Sequence, residues 1–176
     1  DNKYNIISET DRTCQIDISV EQPIFSMNIF ELVKHIKRNS KELIIPEKVD
    51  INGKEFTVVK ITGNREKKEF ESVVLPNSLI EIGNLAFYKC ECLKEIKIPN
   101  SEKSIGNGAF SDCTNLQTVI IPDSVKSIGD VAFYGCSSLQ TINIPNSVES
   151  IGDGAFADCS SLQTVIIPNS VKSIGN

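Results

Sequence analysis

The residues that could do chemistry in this 176-residue chain are its six cysteines, its glycines, its aspartates and its single histidine. The cysteines could bind zinc or form disulfides, and a glycine turn such as the one in "SIGDGAF" could bind a phosphate group. A histidine beside a serine or a cysteine could support nucleophilic catalysis. Each hypothesis depends on how these residues are spaced along the chain.

Four cysteines recur at a fixed interval of 23 residues. They are Cys90, Cys113, Cys136 and Cys159. Zinc requires four ligands that converge tetrahedrally, whereas one thiol per unit forms a straight row. Side chains in such a row point in parallel, which disfavours disulfides between them. Because free cysteine packs as a small hydrophobic residue, we predict a buried row of thiols. A disulfide between the remaining Cys14 and Cys92 stays open.

The glycines recur at the same interval, which argues against a phosphate site. A binding turn is needed once, so repetition favours an architectural role, either with positive φ or as a close approach between units. Asp130 and Asp153 resemble a metal-binding pair, but other units carry Asn84, Asn107 and Asn176 at this position. We therefore predict no metal and no cofactor.

The single histidine does not lie in a catalytic pattern. His35 stands between Lys34 and Lys37 in a segment with helical spacing. The serines that could act as nucleophiles belong to repeated turn positions instead. We predict no catalytic residue, and the chain is interpreted as not an enzyme.

Net charge and hydrophobicity argue against nucleic-acid binding and against a transmembrane segment. The net charge is −5, so the chain lacks the basic surface that nucleic-acid binding needs. No apolar run approaches the roughly 18 residues of a transmembrane helix. We predict neither nucleic-acid binding nor a transmembrane segment.

The elements that must position these residues are short and repeated. The unit reads L-x-x-[IV]-x-I-P-x-S-x-x-x-I-G-x-x-A-F-x-x-C. In the copy "LQTINIP", Leu139, Ile142 and Ile144 alternate as in a strand, and Pro145 ends it. A second short strand and a tight helical turn follow. Because one unit cannot bury its apolar face alone, the units should stack with strands about 4.8 Å apart.

The copies of "IPNSVESIGDGAFADCSSLQTV" resemble the BspA-like, surface-antigen type leucine-rich repeats of bacteria and some parasitic protists. The resemblance implies an α/β repeat solenoid, a right-handed arc of short parallel strands with short helical turns. It also implies a non-enzymatic adhesion module, placed outside the cell or at its surface, that binds host matrix or plasma proteins. Two residues depart from the pattern: Glu102 replaces an inward valine or leucine, and Cys92 replaces asparagine or serine.

Three regions follow from where the regular repeat begins. Residues 1–40 are interpreted as an N-terminal cap, with a hairpin formed by "YNIIS" and "TCQIDI" and a helix carrying Ile29, Leu32, Val33 and Ile36. Residues 41–69 form an irregular first repeat with a protruding hairpin at Asn52-Gly53. Residues 70–176 are the regular repeats.

The C-terminal repeat shows no comparable cap. The chain stops at Asn176 within a repeat. An open edge of a repeat stack exposes unpaired strand groups and apolar side chains. We expect this edge to fray or to support self-association.

The outward strand residues are the candidate binding surface, because solenoid curvature makes such a sheet concave. They are Ile44, Val74, Glu95, Lys97, Thr118, Ile120, Thr141, Asn143, Thr164 and Ile166. The exposed β-branched residues favour a protein partner. A solvated sheet face in a structural spacer or stalk is the alternative. Carbohydrate binding is disfavoured, because none of these positions is aromatic.

Overall fold

The computed structural model describes residues 15–17, 24–28, 41–51, 54–63, 65 and 69–176. These residues form a β-solenoid of short stacked strands. The strands are β1 (Gln15–Asp17), β2 (Ile24–Asn28), β3 (Glu42–Ile44), β4 (Lys48–Ile51), β5 (Lys54–Thr62), β6 (Ser72–Val74), β7 (Glu81–Ile82), β8 (Glu95–Lys97), β9 (Ser104–Ile105), β10 (Thr118–Ile120), β11 (Ser127–Ile128), β12 (Thr141–Asn143), β13 (Ser150–Ile151), β14 (Val165–Ile166) and β15 (Ser173–Ile174).

The first strand of each repeat lies on one face of the solenoid, here called the first face. Strands β8, β10, β12 and β14 pair in parallel in one sheet, and β3 pairs with β6 in another. The register is constant, so Ile96, Val119 and Ile142 lie opposite one another. These central residues are buried, whereas the residues on either side of them are exposed. Alternation along a strand therefore separates core from surface as the sequence predicted.

The second strand of each repeat belongs to a nine-stranded sheet, here called the second face. Its order is β1-β2-β5-β7-β9-β11-β13-β15, with β4 also paired to β5. Strands from β2 to β15 along this path are parallel, and β1 runs antiparallel to β2. The N-terminal strands thus continue the repeat sheet beyond β5.

The pairing of β1 in the N-terminal region differs from its prediction. Strand β1 lies within "TCQIDI", but its partner is β2, and the predicted partner "YNIIS" lies outside the described residues, as do the predicted helix and His35. The hairpin expected at residues 52–53 pairs β4 with β5. Strand β5 also pairs with β2 from Thr57 onward and with β7 at Lys60 and Ile61, so the C-terminal part of β5 lies within the second face.

The expected helical turns are wrong, since the described residues contain hydrogen-bonded turns instead. The backbone N–H groups of Leu85, Phe87 and Lys89 donate to carbonyl groups of the next repeat. A helix would need those N–H groups for its own ladder. Leu85 and Lys89 also have φ of 56° and 53°, which interrupts a right-handed helix. Hydrogen bonding between repeats therefore overrides the local preference of this segment.

The repeated glycines allow neighbouring backbones to approach closely. A Cβ atom on Gly129 would lie 2.7 Å from both the backbone nitrogen of Asn107 and the carbonyl carbon of Gly106. Such contacts exclude any side chain, so glycine is required by the spacing between repeats. The close-approach interpretation of these glycines is confirmed.

The core is a set of stacked rows that run along the solenoid. Phe87, Phe110, Phe133 and Phe156 form one row, with ring centroids 5.2–5.7 Å apart. The rings are nearly parallel, with interplanar angles of 3–14°. The first three rings are fully buried, whereas Phe156 is only partly buried. Each interior ring therefore contacts a ring on both sides.

Replacing an interior ring tests this row. Phe110→Ala should lower the free energy of unfolding by about 3–5 kcal/mol, because it removes a buried ring and two stacking contacts. Urea unfolding followed by circular dichroism measures the loss. The matched control is Phe156→Ala, in the partly buried terminal position, which should cost clearly less. Equal losses in the two variants would contradict the assignment of Phe110 to a continuous stacked core.

Candidate binding surface

The ten predicted surface residues all lie exposed on the first face. Nine lie within strands β3, β6, β8, β10, β12 and β14, and Thr164 directly precedes β14. The register aligns Glu95 with Thr118 and Thr141 in one row. It aligns Lys97, Ile120, Asn143 and Ile166 in a second row. The structure therefore brings seven of the ten residues onto one four-stranded sheet, with Thr164 directly before its last strand.

The exposed β-branched residues lie on two separate sheets. Ile44 and Val74 pair on the two-stranded sheet of β3 and β6, whereas Ile120 and Ile166 belong to the four-stranded sheet. Asn143 separates Ile120 from Ile166 in the register. The reason is that the hydrogen-bonded ladder does not continue from β6 to β8. The surface thus has two apolar parts.

The four-stranded part combines apolar contact area with hydroxyl groups. Ile120 is 57 % exposed and Ile166 is 76 % exposed. Thr118 and Thr141 place a donor and acceptor hydroxyl beside these side chains. Rows of this composition can exclude water from a partner surface while leaving polar groups able to pair.

The second face carries the row of Lys103, Lys126, Glu149 and Lys172. The Lys172 Nζ atom lies 2.6 Å from the Glu149 Oε2 atom. This hydrogen bond, together with the charge of Lys172, lowers the pKa of Glu149. Both side chains are exposed, so the pair contributes little to stability. This row is interpreted as a solvated surface.

The asparagine and aspartate row beside the glycines is a hydrogen-bonding ladder. The Asn84 Oδ1 atom accepts from the backbone N–H of Asn107, whose own Oδ1 accepts from Asp130. The series continues through Asp153 to Asn176 at 2.9–3.0 Å. Nowhere in the part of the chain that the structure describes do three or more His, Cys, Asp or Glu side chains gather as metal ligands would. Asp130 and Asp153 therefore serve the backbone.

The row of cysteines is buried, as its spacing predicted. The Sγ atoms of Cys113, Cys136 and Cys159 donate to backbone carbonyl groups of the preceding repeats at 3.1 Å. Burial raises the pKa of Cys159 to about 11 and that of Cys136 well above its ordinary value. Cys92 is also a free thiol, and Cys14 lies outside the described residues. The thiol row is thus a structural element with low reactivity.

Three exposed apolar residues outside the last repeat were not singled out by the sequence. Val131 and Tyr134 lie on the turns that join the second face to the next repeat, and Ile80 precedes β7. Val131 has φ of 47°, which is unusual for a β-branched residue. The sequence alone could have marked Val131 as unusual, because Gly108 and Gly154 occupy the equivalent position in the neighbouring repeats.

The geometry defines a leucine-rich repeat solenoid. The family described as "BspA type Leucine rich repeat region" matches residues 65–176 in six copies. The chain belongs to this BspA-type leucine-rich repeat family. A search of the curated proteins found no match.

Solved structures of bacterial repeat proteins are similar to the whole chain. A leucine-rich cell surface protein from Faecalibacterium prausnitzii is 32 % identical, with a TM-score of 0.74 over 98 % of this chain and 46 % of that protein. A leucine-rich repeat protein of T. pallidum is 27 % identical, with a TM-score of 0.60 over 92 % and 60 %. The pneumococcal vaccine antigen PcpA, 22 % identical, shares the fold with a TM-score of 0.52 over 93 % and 48 %.

The chain spans about half the length of these structures. Their shared architecture is a leucine-rich repeat fold, which is consistent with a protein-interaction or surface module. Within the described ranges, no helix has the length and apolar character needed to cross a membrane.

Thiol reactivity tests the buried row. In the variant Cys14→Ser/Cys92→Ser, the four remaining thiols should react with a chromogenic disulfide only as fast as the protein unfolds, since burial keeps them protonated. Denaturant should accelerate the reaction strongly. Unfolded wild-type protein should give six reactive thiols, because the five described cysteines are free. Rapid reaction of the variant in native buffer would contradict the buried row.

Proposed function

We propose that this chain is a non-enzymatic protein-binding module at a cell surface, which adheres to a partner through the first face. The observation that carries the proposal is the four-stranded sheet with exposed Ile120 and Ile166 among threonine hydroxyls. Side chains of this kind on a rigid sheet lose little conformational entropy when a partner covers them, since β-branched side chains have few rotamers.

The rigidity of the first face supports the proposal. In strands β8, β10 and β12 the exposed residues flank a buried one, such as Val119 between Thr118 and Ile120. Parallel pairing fixes the distance between rows at about 4.8 Å. A partner therefore meets a preformed surface rather than a set of independent loops, which reduces the cost of binding.

The class of partner is inferred from the composition of the first face and from a similar protein. The first face is mixed in charge, with Glu95 and Lys97 beside the apolar rows, and lacks aromatic side chains. Such a surface favours a folded protein over a sugar or a nucleic acid. The similar Faecalibacterium protein is described as a cell surface protein. We infer an extracellular or surface location and a host matrix or plasma protein as partner, met on the concave side of the arc.

A pull-down tests the first face. Wild-type protein should retain a partner from host matrix and plasma extracts, and Ile120→Lys/Ile166→Lys should reduce retention at least tenfold by placing two charges in the contact. The control Ile80→Lys/Ser127→Lys adds the same charge to the second face and should bind as wild type does. Equal binding by all three proteins would exclude the first face. Failure of the wild type to retain any partner would favour the spacer or stalk.

A further inference from the structure

One carboxyl group lies inside the apolar core. Glu102 is fully buried at a position that other repeats fill with leucine or valine. The equivalent residues are Leu79, Val125, Val148 and Val171. A buried carboxylate is costly unless hydrogen bonds or an opposite charge compensate for the lost water.

The hydrogen bonds of Glu102 satisfy only one of its oxygens. The Oε1 atom accepts from the backbone N–H groups of Ile82, Lys103 and Ser104 at 3.1–3.2 Å. The Oε2 atom is buried and has no hydrogen-bond partner. Ile82 belongs to the preceding repeat, so this carboxyl group lies at the contact between two repeats. We call this contact the Glu102 junction, between the repeat with β6 and β7 and the repeat with β8 and β9.

The first face is interrupted at the same junction. Strands β8, β10, β12 and β14 pair continuously, but β6 and β8 belong to different sheets. On the second face β7 still pairs with β9, through Glu81 with Ser104 and Ile82 with Ile105. The junction therefore combines a buried carboxyl group with the loss of one of the two strand ladders that join the later repeats.

The charged groups around Glu102 do not neutralise it. Glu81 on β7 repels it, and Glu81 itself pairs with Lys60 on β5 at 2.6 Å. Lys103 directly precedes β9 and Lys126 directly precedes β11, and both side chains are exposed. Burial raises the pKa of Glu102 to about 7, although the three backbone N–H groups oppose the shift.

The raised pKa of Glu102 determines how the stability of the junction depends on pH. The folded pKa lies above the ordinary glutamate value of 4.5, so the folded junction binds the proton more tightly than an opened one does. Stability is then full below about pH 4.5 and is lost as the pH rises through about 7.

We propose that the Glu102 junction is a pH-sensitive break in the solenoid, at which ionisation of the buried carboxyl group separates the N-terminal strands from the later repeats. At acidic pH the neutral carboxyl group leaves the stack closed. Near and above neutral pH the buried charge, with one oxygen unpaired, favours local opening at the contact that already lacks a first-face ladder.

Amide hydrogen exchange resolved by NMR tests the proposal on the full chain. The reporters are Lys103 and Gly106, whose N–H groups donate across the junction to Ile80 and Ile82. After correction for intrinsic rates, their protection should fall roughly a hundredfold between pH 5 and pH 8, since each unit of pKa shift is a factor of ten. Glu149 and Gly152, which donate across a later contact, should change much less.

Two substitutions separate the carboxyl charge from other pH effects. Glu102→Gln keeps the shape without the charge and should make protection at the reporters nearly independent of pH. Glu102→Val restores the residue of the neighbouring repeats and serves if the glutamine variant folds poorly. The control Asp123→Asn removes an exposed carboxylate at a position where other repeats carry asparagine, and should behave as wild type.

Three results would overturn the proposal. The first is a wild-type protein whose junction protection does not change with pH. The second is a Glu102→Gln or Glu102→Val variant that keeps the wild-type pH dependence. The third is an equal fall at Glu149 and Gly152, which would indicate global unfolding instead of opening at the junction. None of these results depends on whether the first face binds a partner.

Discussion

Hydrogen bonding between equivalent backbone segments of successive repeats is the constraint on which the rest of the structure depends. Each strand is only two or three residues long in the regular repeats, and none could persist without its neighbours. The ladder forces every repeat into the same register. Residues of one type therefore stack on residues of the same type. The phenylalanine row, the thiol row and the asparagine ladder all follow from this single condition.

The same condition determines which contacts the potentially reactive side chains make in the described repeats. The Cys136 thiol donates to a carbonyl group of a preceding repeat and is buried in the apolar core. The carboxylate of Asp130 accepts from the backbone of the next repeat. Catalysis requires different groups to converge on one point. Rows of identical groups at a fixed spacing do not converge, so repetition places groups of different chemical type in separate rows.

Sequence alone predicted what depends on period and on polarity. Alternation and the following proline located the first-face strands, and the exposed positions beside Val119 and Ile142 lie where expected. The turns were misread because Ala86 and Phe87 suit a helical turn locally, while the structure commits alternate N–H groups to the next repeat. The interruption between β6 and β8 was not predicted, because the segment around β6 keeps the alternation of a strand although Phe70 and Leu75 depart from the consensus. Long-range pairing decided both cases, and local propensity carries no information about it.

A departure from the consensus therefore carries more information in this fold than in an irregular one. The position of Glu102 could be read from the sequence as an inward site, since four equivalent residues are apolar. What the sequence could not supply was the environment: a buried oxygen without a partner beside a strand pair that is missing on the opposite face. In a stack where each repeat contacts only its neighbours, stability is a sum of local contacts, so one unfavourable contact weakens one junction and leaves the others intact. The repeats on both sides of Glu102 can therefore keep their rigid surfaces while the joint between them responds to its surroundings.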